Sequence, residues 1–324
     1  FLTRGKGYYE QYKADQLWAD YGLPDADSNG TTITQTNLIR QLWLDNYFYG
    51  TQLTWEYKKP NNTLITGAGW NRYDGNHYGK IIWIALPYVY EVPGGYRWYQ
   101  LDACKQEANL FSKWEHSFSG KLNLYVDLQG RYVDYRINGF RNNPNLRINN
   151  QYLFFNPKAG VRYSQDKHTI YFSLAKSSKE PNRDDFESGL NQQPKAEHLY
   201  DLESGWQWKT KRSSLEANVF LMHYRDQLIL TGKINDVGAY TRTNIPRSYR
   251  TGLELSFQTK PSDFWGFYAT LTLSRNKVKE FAEYLYDYSN NAEKTIVHYN
   301  TDLAFSPSLL ASGRIDFFPF ANKI

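Results

Sequence analysis

Cysteine is all but missing from this chain: Cys104 is the only one in 324 residues. One thiol excludes an internal disulfide framework, and such scarcity suits a protein of the bacterial envelope. Long apolar runs are missing too. The longest is Ile81-Ile82-Trp83-Ile84-Ala85-Leu86, stopped by Pro87. A helical membrane span needs about 20 such residues, so none is expected. The opening Phe1-Leu2-Thr3-Arg4 has no apolar core of a signal peptide, which implies either a protein that is not exported or an N-terminus lying further upstream. Charge of one sign is also scarce. A formal net charge of +5 with no basic stripe gives no case for nucleic acid as a partner.

Motifs of catalysis are missing as well. There is no P-loop, no Gly-x-Ser-x-Gly elbow and no Cys-x-x-Cys. The six histidines (77, 116, 168, 198, 223 and 298) are scattered, with no two at metal-ligand spacing. His116 and Ser117 are adjacent, so on a strand they face opposite sides and cannot pair. Neither an enzyme, a cofactor nor a bound metal is expected. The Asp184-Asp185 pair reads as a solvated loop rather than a calcium site.

Aromatic residues, by contrast, abound: 28 Tyr, 18 Phe and 10 Trp make up 17% of a chain that is only 41% hydrophobic. Its mean hydropathy is −0.70. Rings at this density in so polar a chain suit a membrane interface or a water-filled barrel, where every second strand residue meets lipid. On composition alone a soluble, aromatic-rich glycan-binding β-protein fits equally well.

Alternation separates the two. Leu122, Leu124, Val126, Leu128 and Tyr132 fall on one face of a strand, and Asn123, Tyr125, Asp127, Gln129 and Arg131 on the other. The pattern recurs in Leu153–Tyr163, Ile170–Leu174, Leu215–Leu221, Leu253–Phe257 and Phe267–Leu273. Short turns are predicted near residues 59–62, 119–120, 164–167, 210–212 and 260–263. Longer connections are predicted at 5–35, 85–103, 139–149, 179–196 and 285–304. Short links at one end and long ones at the other are the outer-membrane arrangement. Residues 238–258 and 265–284 read as strands of about 20 residues, longer than a membrane crossing needs. Gly50 and Gly252 inside such runs are expected at bulges or points of curvature. Trp114, Phe118, Tyr163, Trp206, Trp208, Phe257, Trp265 and Phe267 sit near the turn ends, as an aromatic girdle would. About 12 strands are expected.

Four segments carry a family resemblance. Ser173-Leu174-Ala175-Lys176-Ser177-Ser178-Lys179-Glu180-Pro181 resembles a strand leaving the membrane through a Ser-aromatic-basic-x-Pro segment, with Ser178 where an aromatic is usual. Ala196-Glu197 through Glu203-Ser204-Gly205 is similar to Pro-Glu-x-x-x-x-x-Glu-x-Gly, with Ala196 in place of Pro. Tyr224-Arg225-Asp226-Gln227-Leu228 matches Tyr-x-Asp-x-Ile, and Gly252-Leu253-Glu254 matches Gly-x-Glu after Asn244. In this order they resemble the C-terminal barrel of TonB-dependent outer-membrane receptors. The run Thr3–Tyr12 looks like receptors of this kind from Bacteroidetes-type bacteria.

The resemblance implies an all-β fold, an antiparallel transmembrane β-barrel. Residues 1–324 would form about 12 of 22 strands, and the plug domain and TonB box would lie outside this chain. It implies active uptake across the Gram-negative outer membrane of a scarce ligand: a siderophore or other metal chelate, haem or cobalamin. The partners implied are the TonB–ExbB–ExbD system, outer-membrane lipid and a possible surface lipoprotein. A passive porin or adhesin barrel is the alternative. Ligand contacts are expected in extracellular loops at Tyr8, Tyr9, Tyr12, Tyr73, His77, Tyr88, Tyr90, Tyr96 and Trp98, where rings give broad contact at low entropic cost. His77, beside Tyr73, Asp74 and Tyr78, is the histidine placed to meet a metal chelate. Glu203 and Glu254 would face the lumen, serving plug contacts or an internal charge network.

Overall fold

The computed structural model describes residues 1–85, 91–141, 143–187, 193–234 and 240–319. Most of them lie in antiparallel strands. These are β1 (Leu2–Leu17), β2 (Ala26–Ser28), β3 (Thr31–Ile33), β4 (Gln35–Lys59), β5 (Asn62–Ile84), β6 (Arg97–Phe118), β7 (Leu122–Asn138), β8 (Arg147–Gln165), β9 (His168–Lys179), β10 (Glu197–Lys209), β11 (Ser213–Ile234), β12 (Tyr240–Thr259), β13 (Trp265–Asp287), β14 (Ala292–Asp302) and β15 (Leu309–Phe317). One 3-10 turn (Trp18–Tyr21) and one short helix, α1 (Arg183–Phe186), interrupt them.

Among the described residues the main sheet runs β1-β4-β5-β6-β7-β8-β9-β10-β11-β12-β13-β14, each strand beside its sequence neighbour. β15 also pairs with β13. β14 covers Lys277–Asp287 of β13 and β15 covers Trp265–Leu273. The two therefore act as one neighbour broken at 303–308, which leaves twelve positions across the sheet, as the sequence indicates. β2 and β3 form a separate hairpin.

The short links fall where alternation places them, at residues 60–61, 119–121, 166–167, 210–212 and 260–264. Ser119 and Gly120 both take left-handed backbone (φ 53° and 69°), the geometry whose twist matches a tight hairpin.

The long connections need three corrections. Residues 5–17 are not a loop, because β1 pairs with β4 from Leu2↔Tyr49 to Leu17↔Gln35. Strand β6 already begins at Arg97. Residues 285–304 are mostly strand: β13 runs to Asp287 and turns tightly into β14.

Gly252 is also corrected. It marks no bulge, because Phe220↔Gly252↔Ser274 stays in register. A Cβ there would lie 2.8 Å from the Phe220 ring, so glycine is needed for close packing.

The chain divides into two compact units. The first comprises 1–52, 69–108 and 132–152; the second comprises 53–68, 109–131 and 153–324. In the first, the 3-10 turn folds onto the sheet. Trp18, Tyr21 and Leu23 join Leu38, Ile81 and Ile84 in a buried cluster. The Gly22 cap turns the chain back with φ 64°. In the second, Ile245, Val278 and Leu303 form a smaller cluster.

Candidate functional site

Cross-strand register assigns the side chains of the second unit to two faces. On one face, direct partners run Ile170↔Trp206↔Ala217↔Leu255↔Leu271↔Ala311, and the next rung is Phe172↔Ser204↔Val219↔Leu253↔Leu273↔Leu309. The alternate rungs read Thr169↔Gln207↔Glu216↔Ser256↔Thr270 and Tyr171↔Gly205↔Asn218↔Glu254↔Thr272. One face is thus a continuous apolar band and the other is polar throughout. The apolar band is open: Leu153 is 81% exposed, Ile170 52%, Val219 52% and Ile315 66%. A water-soluble protein does not leave so wide an apolar sheet face uncovered, whereas a strand set in lipid requires one.

The polar face lines a cleft of about 1100 Å³. Asn123 and Tyr125 from β7, Arg162 from β8, Tyr171 from β9, Gln207 from β10, Glu216 and Asn218 from β11 and Glu254 from β12 reach it. Tyr171 Oη donates to Asn218 Oδ1 at 2.8 Å, and Gln207 Nε2 donates to Glu216 Oε1 at 2.6 Å. Two tyrosines lie flat over glycines of the next strand. A Cβ at Gly160 would sit 2.5 Å from the Tyr125 ring, and one at Gly205 would overlap the Tyr171 ring. The cleft is a hydrogen-bonding wall with no set of three His, Cys, Asp or Glu side chains placed to hold a metal among the described residues.

At the opposite ends of the strands from the short turns, charged groups knit the long connections to the sheet. Arg131 meets Glu180 at 2.7 Å, and Glu180 is buried. Arg242 meets Asp185 through 2.7 and 3.0 Å bonds. Asp185 also accepts from the Asn182 N–H at 2.7 Å, capping α1. Asp185 is only 2% exposed, so this half of the Asp184-Asp185 pair is a buried anchor and not the solvated loop residue expected.

In the first unit, Tyr96 Oη donates to the Tyr21 carbonyl at 2.6 Å, and the Trp98 ring lies 4.8 Å from Tyr21. Arg40 donates to Tyr21 Oη at 3.0 Å. Burial pushes the Tyr21 phenol up, and Arg40 only partly offsets it.

Residues 2–322 match the family described as TonB dependent receptor-like, beta-barrel. The chain belongs to this TonB-dependent receptor barrel family. No curated protein matches it in sequence. Similar solved structures include the copper transporter OprC, at 16% identity and TM-score 0.60 over 74% of this chain and 38% of that one. The Serratia marcescens hemophore receptor HasR matches at 14% identity and TM-score 0.58 over 98% of this chain and 56% of that one. The Escherichia coli K12 ferric-catecholate import receptor Fiu matches at 15% identity and TM-score 0.56 over 90% of this chain and 44% of that one. The chain spans about half the length of these receptors or less. Members of this family sit in the outer membrane, and the antiparallel, two-faced sheet is of that kind.

Within the receptor wall, the nine residues singled out from the sequence separate. Tyr8, Tyr9 and Tyr12 are exposed, but on strand β1 rather than a loop; Tyr8 packs on Trp43 at 4.5 Å. Tyr73 and His77 lie on β5. Tyr96 and Trp98 pack against the Trp18–Tyr21 cluster, so they hold the loop together. Tyr88 and Tyr90 lie outside the described residues. Sequence reasoning missed Tyr125, Tyr171, Asn218 and Arg242. For the first three the signal was a glycine one strand away, visible only once register is known; Arg242 is marked only by its distant partner Asp185.

Proposed function

We propose that this chain is the wall of a receptor for TonB-dependent uptake of a scarce ligand across the outer membrane. The reading rests above all on the two faces: an uncovered apolar band outside and an unbroken polar wall opposite it. A polar wall facing a lumen offers donors and acceptors to a plug domain, and Glu203 and Glu254 lie on that side. Closure of the sheet into a barrel of about 22 strands around such a plug completes the proposal, since lipid does not tolerate open sheet edges.

Strand length supports a receptor over a minimal pore. The 25 residues of β4 extend about 80 Å at 3.3 Å each, far beyond a 25 Å apolar band even when tilted. An excess on the side of the long connections supports Tyr8, Tyr9, Tyr12, Tyr73 and His77 as the proposed ligand contacts. A metal chelate, haem or cobalamin is the proposed cargo. OprC, HasR and Fiu are named for copper, a haem-carrying hemophore and ferric catecholate. The proposed partners are TonB–ExbB–ExbD and, at the surface, a lipoprotein. The likeness of Thr3–Tyr12 supports a Bacteroidetes-type subfamily.

The test is uptake of radiolabelled ferric siderophores, haem and cobalamin by cells expressing the complete receptor, with and without TonB. Uptake of one ligand that collapses without TonB is expected. Uptake that persists without TonB, together with open-channel conductance in planar bilayers, would replace this reading with a passive porin.

A further inference from the structure

We propose that the lipid-facing side of β7–β13 carries a binding site for a phosphorylated lipid of the outer leaflet, distinct from any cargo site. An apolar groove of about 490 Å³ opens on that face, lined by Val126, Leu128, Pro157, Ala159, Leu174 and Leu221. Its walls present almost no polar surface, and Leu128, Leu174 and Leu221 are all exposed. Lys176, Tyr200 and His223 close its far end, on the rung directly beyond the last leucines.

That rung begins a cationic field. Beyond it Arg225 stands directly opposite Arg247, and on β13 Lys279 directly follows Val278, the partner of Ser248. Period two puts Arg225, Arg247 and Lys279 on the face of His223, because His223, Tyr249 and Lys277 are direct partners and each cation lies two residues from one of them. Arg275 is exposed on the rung of Leu221, across Thr251. Among the described residues none of Arg225, Arg247, Arg275 or Lys279 has a carboxylate partner, whereas their neighbour Lys277 holds Asp302 at 2.8 Å. Arg225 reaches only the Tyr200 ring, at 5.6 Å.

Two arginines directly opposite in an antiparallel pair repel, and a sheet that keeps them without a carboxylate is built for an anion from outside. Guanidinium forks suit phosphate, which they bind through paired hydrogen bonds. The groove decides what carries the phosphate. It runs from the cations into the apolar band, so one molecule with an acyl chain and a phosphorylated headgroup fills both. A soluble phosphate would leave the groove empty.

The experiment measures binding of three probes to the complete receptor in detergent: a diphosphorylated acylated glucosamine disaccharide, the same glycolipid dephosphorylated, and inorganic phosphate. Wild type should bind the phosphorylated lipid about tenfold more tightly than the dephosphorylated one. Arg225→Gln with Arg247→Gln should abolish that preference, and Ala159→Trp, which fills the groove, should weaken both lipids while leaving the preference intact. Lys279→Gln, at an exposed edge, gives a smaller loss in the same direction and serves if the double variant fails to fold. Equal binding of both lipids by wild type, or no change in Lys279→Gln and the double variant, overturns the site. Displacement of the lipid by equimolar inorganic phosphate would make it a free-anion site and overturns the lipid assignment.

Discussion

The Tyr171 hydroxyl on β9 bonds to Asn218 on β11 at 2.8 Å, reaching across the full width of β10. It can do so because Gly205 lies beneath the ring, directly paired with both residues. The glycine of the Glu-x-Gly segment is therefore a seat for a neighbour's side chain, and the strap ties three strands together.

Adding a side chain at that seat should lift the ring and break the strap. Gly205→Val is expected to lower the stability of the folded wall by about 1–3 kcal/mol, the usual cost of overpacking. Tyr171→Phe should cost about 1 kcal/mol through the lost hydrogen bond alone. Urea unfolding in lipid vesicles, followed by tryptophan fluorescence, measures both. Equal stability of Gly205→Val and wild type would show that the ring is free to move aside.

The two faces predict opposite tolerance to the same charge. Leu255→Arg places a cation in the middle of the apolar band and should cost about 2–4 kcal/mol in bilayers. Glu216→Arg, on the adjacent strand but facing the cleft, should cost far less. Folding yields of the two variants in vesicles give the comparison, and similar yields would contradict the assignment of faces.

Removing the Asp185 carboxylate leaves Arg242 without this partner and α1 without its cap. Asp185→Ala should make the connection between β9 and β10 sensitive to protease while the thermal transition of the sheet stays nearly unchanged. Loss of the cap alone is expected to contribute about 1 kcal/mol. Limited proteolysis with mass mapping of the first cut distinguishes the loop from the strands.

Acid should loosen the β13–β14 turn. Asp287 accepts from the Ser289 hydroxyl and N–H and from Asn290, and these bonds hold its carboxyl below the usual range. A depressed folded pKa means the stabilisation is complete above the ordinary carboxylate pKa and is lost as pH falls through the folded value. Amide exchange at Ser289, corrected for its intrinsic pH dependence, should accelerate below about pH 4. In Asp287→Asn that acceleration should vanish.

Much of this wall was legible in the sequence, because a strand between lipid and water must alternate. The faces of Leu255 and Glu216 follow from period two alone, and the short turns follow from residues such as Ser119-Gly120 and Lys260-Pro261. The long connections were harder. Nothing in the composition of residues 5–17 or 285–304 distinguishes a polar loop from a strand standing in water on both faces, and both proved to be strand. The candidate ligand residues were chosen for being aromatic in expected loops. Tyr96 and Trp98 instead fill a core made by Trp18 and Tyr21, a long-range packing event that local pattern does not encode. Asp185 escaped for the same reason, since its partner Arg242 is far away in sequence.

The tyrosine rings seated over Gly160 and Gly205 also bear on how such a wall moves. Sliding one strand past the next by a residue would turn every leucine of the apolar band inward, and it would pull each tyrosine off the glycine that seats it. The wall is latched against shear at two places by parts that cost it no charge. It can serve as a fixed frame, with motion left to the connections at its rim.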